Sequence, residues 1–311
     1  MRKFFFSALF LCISMANAEV LTVKDALGFA NSHPAINKPI LRSQEQQLIF
    51  LNCHDLTFND NNKSNSWDNL PLYDLMEPLV AQKIEILRRY FDVILADISF
   101  AANNEHMAIA FINADRARVR SELGQYSEVE VAALESIYQG VRQARFASEK
   151  NQRTTRAKLA LAMGDINKLA PDLVEPVLKI EELKVPDYDK LTANALKHNS
   201  RLFSLQSSLD SAEYKLLKMR LQQQLLTLIL RLEMLSFAKD NAAALSYYRD
   251  IYMDRSRALY EMEVKADLGD SMVWQSRALM QEATVDFCIA LTFAEINALQ
   301  GKDIWPVTNE K

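Results

Sequence analysis

Side chains that commonly carry chemistry are few in this chain and lie far apart. The sequence contains no His-Glu-x-x-His, Cys-x-x-Cys or Glu-x-x-His spacing, which would group metal ligands on one helix or turn. His106 and Met107 are adjacent and could contact a soft metal ion such as copper, but on a long helix such a pair usually serves packing. The histidines are too scattered to predict a metal site: His33, His54, His106 and His198.

Motifs for nucleotide binding and nucleophilic catalysis are also missing from the sequence. It has no Gly-x-Gly-x-x-Gly loop, no Walker loop and no Gly-x-Ser-x-Gly turn. We therefore predict a protein that is not an enzyme and uses no cofactor or metal.

The start of the chain, positions 1–18, has the features of a secretory signal peptide. Arg2 and Lys3 precede an apolar run that extends to Met15, and an Ala-Asn-Ala cleavage site follows. The run is shorter than the about 20 residues that a membrane-spanning helix needs. Cys12 follows Leu11, whereas lipid attachment needs a small residue at that place. These features predict export to the bacterial cell envelope.

Charge and cysteine content narrow the class of protein further. Removing the leader takes away Arg2 and Lys3 and changes the formal net charge from −4 to −6, which argues against nucleic-acid binding. The mature chain keeps Cys53 and Cys288. In an oxidising compartment they could form a disulfide, but packing of two separate buried cysteines explains them equally well.

One long stretch, residues 90–164, predicts the main architectural element. It has no proline, and its interior glycines are Gly124 and Gly140. Two helical arms of roughly 35–40 residues around Gly124 far exceed the average helix of a globular protein. The sequence predicts a helical hairpin that turns at residues 123–127.

The descending arm of this hairpin carries two stripes at helical spacing. They point in directions about 200° apart, so this helix is expected to contact neighbours on two sides. A curved wall of helices needs two such seams, and a helix buried in a bundle shows them as well. The first stripe has large side chains: Val131, Leu134, Tyr138 and Val141. The second stripe has small residues: Ala133, Ser136, Gly140 and Ala147.

The pattern occurs twice in the chain. The first half opens with a short helix that breaks at residues 33–36. The second half opens with a similar helix that breaks at residues 199–202, so that Leu202 corresponds to Ile36. We place the second hairpin turn at Gly269, in correspondence with Gly124. The two turns are closer together than the two breaks, by about the length of the polar segment 54–75. We interpret this segment as a loop in the first half alone.

These features predict an all-α fold of tandem long helical hairpins. The first repeat spans residues 19–170, a proline-rich connector spans 171–189, the second repeat spans 190–301, and a tail covers 302–311.

The order of these segments resembles the TolC-like outer-membrane efflux family. The resemblance rests on residues 21–36, 90–96, 120–131 and 159–164 of the first half, on the proline-rich connector up to His198, and on residues 268–301 of the second half. It implies a homotrimer whose hairpins form a periplasmic coiled-coil tunnel. It also implies a periplasmic adaptor protein and an inner-membrane transporter as partners in efflux or secretion.

The sequence differs from the family in the segments that would form the membrane strands. Family members insert two strands per repeat into the ascending limb, whereas here only 54–75 offers an insert, and 211–235 has helical spacing. Since a membrane strand needs about 9–11 alternating residues, we expect little or no β-barrel. The expected location is the periplasm or peripheral association with the outer membrane.

The resemblance also implies that the tunnel tips form the surface that binds the adaptor. At the second turn, Gln275 stands where the family often has an acidic residue, and Asp267 and Asp270 are possible substitutes or ordinary solvated charges. A competing interpretation is a structural or interaction bundle without a channel, as a monomer or dimer. The candidate tip residues are Leu123, Gly124, Gln125, Glu130, Val131, Leu268, Gly269 and Asp270.

Overall fold

The computed structural model describes residues 20–37, 48–53, 73–164, 172–178, 184–262 and 268–305, and it confirms the predicted all-α fold class. Within these ranges the extended structure is one isolated bridge between Leu21 and Leu173. Short 3₁₀ turns occur at Phe29–Ser32, Pro34–Ile36 and Tyr73–Leu75. The helices are α1 (Val23–Gly28), α2 (Pro78–Glu122), α3 (Glu128–Met163), α4 (Tyr188–His198), α5 (Ser200–Gln206), α6 (Ser211–Glu261) and α7 (Leu268–Leu299).

The first hairpin turn lies where the sequence places it. Helix α2 ends at Glu122, and Gly124 adopts φ +72°, a conformation that glycine reaches without steric cost. Ser127 then caps α3 through a capping box, in which its hydroxyl accepts from the Glu130 N–H while the Glu130 carboxylate accepts from the Ser127 N–H. A helix stop and a helix start so close together explain why the chain reverses here.

The second turn lies earlier than predicted. Helix α6 ends at Glu261 and α7 begins at Leu268, so Gly269 lies inside a helix and the turn precedes it. The helix end that corresponds to Glu122 is therefore Glu261, and the predicted correspondence between Gly124 and Gly269 is wrong. Position 269 needs glycine for a different reason, because a Cβ atom at Gly269 would lie 2.7 Å from Cγ2 of Ile109 on α2. The predicted leader, residue 267 and most of the predicted loop 54–75 lie outside the described residues.

The base of each hairpin repeats one arrangement. The His33 ring accepts from the N–H of Ala35, and in the second half the Asn199 side chain accepts from the N–H of Leu202. Each descending helix is followed by a glycine with positive φ beside this break. Gly164 (φ +85°) adjoins the His33 ring, and Gly301 (φ +69°) adjoins the His198 carbonyl.

The four long helices lie in the order α3, α2, α7, α6, with each packed against the next. Phe91 of α2 stacks on Phe287 of α7 with ring centroids 4.5 Å apart. Asp286 forms an ion pair with Lys239 of α6 at 3.4 Å. Lys239 and Phe91 are therefore at the same height along the bundle, and the main hydrophobic core lies at this level and towards the base.

A disulfide bond joins two distant parts of the chain at the height of Phe91 and Phe287. Cys53 and Cys288 pair with a Cα–Cα distance of 5.4 Å across 235 residues of sequence, which decides between the two interpretations of the cysteines. The fully buried Asp92 carboxylate accepts from three successive N–H groups, those of residues 49–51. A bond that closes so long a loop typically stabilises a fold by about 2–5 kcal/mol.

The second ascending limb is one unbroken helix. Residues 211–235 all belong to α6, which confirms the helical interpretation of this segment over a strand. Among the helices of the described ranges, none is both long enough and apolar enough to cross a bilayer.

The two interior glycines of the first hairpin provide a matched test of the turn. An added Cβ meets no atom within 4 Å at either Gly124 or Gly140, so backbone conformation alone separates them. We expect Gly124→Ala to lower the free energy of unfolding by about 1 kcal/mol, because the turn needs positive φ. Gly140→Ala should raise it by about 0.5–1 kcal/mol, because Gly140 is helical. Urea unfolding followed by circular dichroism measures both, and equal shifts would contradict this placement of the turn.

Candidate functional site

The tip of the first hairpin projects beyond the described ends of α6 and α7. A guanidinium nitrogen of Arg116 on α2 donates to the Tyr260 hydroxyl, near the end of α6, at 3.1 Å. Gly124 lies eight positions further along, about 12 Å at the rise of an α-helix. The last turns of α2 and the first turns of α3 therefore stand clear of α6 and α7.

Large apolar side chains remain exposed on this projecting tip. Leu123 is 69% exposed and Val129 is 78% exposed. Gln125 is also exposed, whereas Val131 is half-buried. Glu130 belongs to the capping box, and its hydrogen bonds from the Ser127 backbone and hydroxyl lower the pKa of its carboxyl group. The first five predicted site residues thus share one exposed turn.

The other three predicted site residues line a pocket further from the tip. Leu268, Gly269 and Asp270 begin α7 and face α2 across a cavity of about 360 Å³. The structure therefore separates the predicted residues into a projecting tip and a recessed pocket. Sequence reasoning missed the partners that complete this pocket, because they are distant in the chain: His106, Ile109, Asn113, Arg116, Leu134 and Tyr260.

Charges of both signs surround the pocket. Burial lowers the pKa of His106, the carboxylate of Asp270 opposes that shift, and Arg277 adds to it. Within the described ranges no group of three or more His, Cys, Asp or Glu residues is close enough to hold a metal ion. The pocket therefore has a mixed apolar and polar surface.

A buried ionic network fixes the base of the bundle. Arg88 donates to the hydroxyl of Tyr73 at 3.0 Å, and Tyr73 donates to Glu85 at 2.9 Å. Burial opposes ionisation of Glu85, but Arg88 and the ion-paired Arg89 outweigh it and lower the pKa of that carboxyl. The network holds the 3₁₀ turn before α2 against the helix.

A second buried pair joins α6 to α7 near the same level. Arg231 lies 3.4 Å from Glu295, and both side chains are almost fully buried. Burial raises the pKa of Glu295, although Arg231 and Arg88 act in the opposite direction. These charges link the two ascending limbs to the last helix.

Solved structures share this fold. No protein-family model matches the sequence, and no characterised protein matches it in sequence. CusC, whose structures concern folding and transmembrane channel formation, matches with a TM-score of 0.53 at 13% identity over 90% of this chain and 97% of its own. The outer membrane protein VceC of Vibrio cholerae matches with a TM-score of 0.52 at 10% identity over 73% of this chain and 71% of its own. The predicted resemblance to TolC-like proteins is confirmed at the level of fold.

The close approach at Gly269 predicts a compensating pair of substitutions. Gly269→Ala should lower the free energy of unfolding by about 1–3 kcal/mol, because the new Cβ would overlap Cγ2 of Ile109, an atom fixed by the stiff β-branched rotamer. Ile109→Ala removes that atom, so the double variant should be more stable than the sum of the single effects predicts, by at least about 1 kcal/mol. Purely additive effects in urea unfolding would contradict this contact.

Proposed function

We propose that this chain is a TolC-like efflux or secretion component of the bacterial cell envelope. Copies associate edge to edge into a homotrimer that forms a periplasmic helical conduit. The conduit works with a periplasmic adaptor protein and an inner-membrane transporter. The observation that supports this proposal is a pair of complementary exposed seams on α3 and α6, the two outer helices of the row.

The first seam follows α6. This helix buries one stripe at alternating spacings of three and four residues against α7, as coiled-coil helices do. A second stripe at similar spacing remains 41–71% exposed on another side. Large apolar residues form it: Phe237, Tyr248 and Ile251 at heights that α3 spans, and Leu226, Leu230 and Met234 below the height at which α3 ends.

The second seam follows α3. The large stripe predicted from the sequence packs towards α2, where the rings of Tyr138 and Phe111 lie 5.6 Å apart. The small stripe, with Ala144 between its members Gly140 and Ala147, is exposed in the single chain. Small residues allow a neighbouring helix to approach closely, so this face can receive the large side chains of α6.

The two seams lie at matching heights. Asp97, six positions above Phe91 on α2, pairs with Arg156 of α3, which places Arg156 near residue 245 of α6. Leu161, which is 67% exposed, is then within about one helical turn of the height of Phe237. By the same count Ala147 is level with Ile251 to within about one turn.

Matching heights permit a closed ring. In a cyclic assembly all copies lie at one height, and each copy presents α3 to the α6 of the next. The number three comes from the resemblance to TolC-like proteins. The first hairpin tip stands clear of the described ends of α6 and α7 in its own chain and, in a ring, in its neighbour. Its exposed Leu123 and Val129 therefore stay available to an adaptor.

Assembly can be tested with one added charge. Ala147→Glu places a carboxylate in the α3 seam, and Ala108→Glu makes the same change at an exposed site on α2, an inner helix of the row. We expect the first variant to weaken trimer formation at least tenfold, because an unpaired charge would be desolvated, and the second to leave it unchanged.

Light scattering across a concentration series measures the trimer. A wild-type protein that stays monomeric or dimeric at micromolar concentration would contradict the conduit. That result would favour the alternative of a periplasmic structural or interaction bundle without channel activity.

A further inference from the structure

The basal end of α6 carries an exposed apolar and basic surface below the height at which α3 ends. We propose that its first turns bind anionic lipid headgroups, with shallow insertion of apolar side chains into a membrane surface. The residues are Lys215, Leu216, Met219 and Arg220, here called the basal face. This inference does not rest on the proposed trimer, because a single chain presents the whole face.

The basal face lies at the end of the molecule opposite the hairpin tips. Lys239 of α6 and Phe91 of α2 are at the same height. Below that height α6 continues down to Ser211, whereas α2 continues only to Pro78. The longer segment of α6 extends beyond the start of α2 by about 20 Å at the rise of an α-helix. The first turns of α6 therefore form a protruding end of the rod.

Apolar and basic side chains share one side of this end. Successive helical residues turn by 100°, so the four residues of the basal face lie within an arc of about 140°. Leu216 is 55% exposed and Met219 is 56% exposed, and the basic residues on both margins of the arc are exposed too. Exposed apolar residues flanked by Lys and Arg are typical of helices that lie at a membrane interface.

The end of α6 is anchored in a fixed orientation. The Lys218 ammonium lies 4.4 Å from the centroid of the Tyr214 ring, and the Tyr214 hydroxyl contacts Gln206 at the end of α5 at 3.5 Å. Asp210 and Glu213 form a capping box at the start of the helix. On α5, Phe203 is 50% exposed at the same end and adds apolar surface.

Local charge favours an anionic partner. Three basic residues of the first turns of α6 outnumber the two acidic residues of the capping box, although the whole chain has a formal net charge of −4. Each basic side chain near an anionic membrane surface adds attraction that falls off within a Debye length. The basic residues are Lys215, Lys218 and Arg220.

The α3 helix of a neighbouring copy would not cover this face. Helix α3 ends at Met163, seven positions beyond Arg156 towards the base, which is the height of about residue 238 of α6. In a ring the α3 of the next copy stops at that height, well short of Arg220. A ring would instead place several basal faces at one height, which strengthens attachment through multivalency.

Vesicle binding tests the proposal directly. The purified protein is sedimented with vesicles of phosphatidylethanolamine and phosphatidylglycerol, and with vesicles of phosphatidylcholine alone. We expect binding to the anionic vesicles alone, weakened by salt. The charge-reversal pair Lys215→Glu and Arg220→Glu should bind at least about tenfold more weakly. In the double variant Leu216→Ser and Met219→Ser, the part of vesicle binding that remains at high salt concentration should be lost.

A matched control separates the basal face from general charge. Arg153 on α3 and Arg257 on α6 have side chains that are 69% and 55% exposed and lie away from the basal end. The pair Arg153→Glu and Arg257→Glu should bind like the wild type. Absence of binding to anionic vesicles, equal binding to neutral ones, or an equal loss in this control would overturn the proposal. Absence of binding would indicate a protein partner for this face.

Discussion

Helices α2 and α7 pack side by side at Phe91 and Phe287, and this contact joins the first hairpin to the second. The disulfide between Cys53 and Cys288 and the Asp92 carboxylate lie at the same level. The long helices extend far beyond this core, so their relative heights are fixed mainly here. A slip of one turn, about 5.4 Å, would misalign the hairpins and both outer seams.

A rod built from four long helices cannot bury all of its apolar surface within one chain. Three exposed surfaces of the described residues differ in composition. The α3 seam has small residues and the α6 seam has large apolar residues, so the two seams suit contact between two copies of the chain. The tip with Leu123 and Val129 is apolar and projecting, which suits a protein partner. The basal face mixes apolar with basic residues, which suits anionic lipid.

The sequence predicted features that depend on neighbours along the chain and missed those that depend on distant contacts. The first turn follows from Gly124 and the Ser127 capping box, both local signals. Gly269 gives the same local signal but meets Ile109, which belongs to the other hairpin, and its role could not be inferred. The disulfide across 235 residues stayed undecided for the same reason. The tip candidates near Gly124 formed one surface, whereas those near Gly269 line a pocket with α2.

The central claim is that α3 of one copy packs against α6 of the next at a common height. Cross-linking between cysteines introduced at Leu161 and Phe237 measures this contact, since both positions are exposed and level with each other. With a short bismaleimide, the double variant should give covalent dimers and trimers and no larger ladder, while each single variant should give neither. Uniform monomer in the double variant, at concentrations where light scattering shows assembly, would contradict the claim.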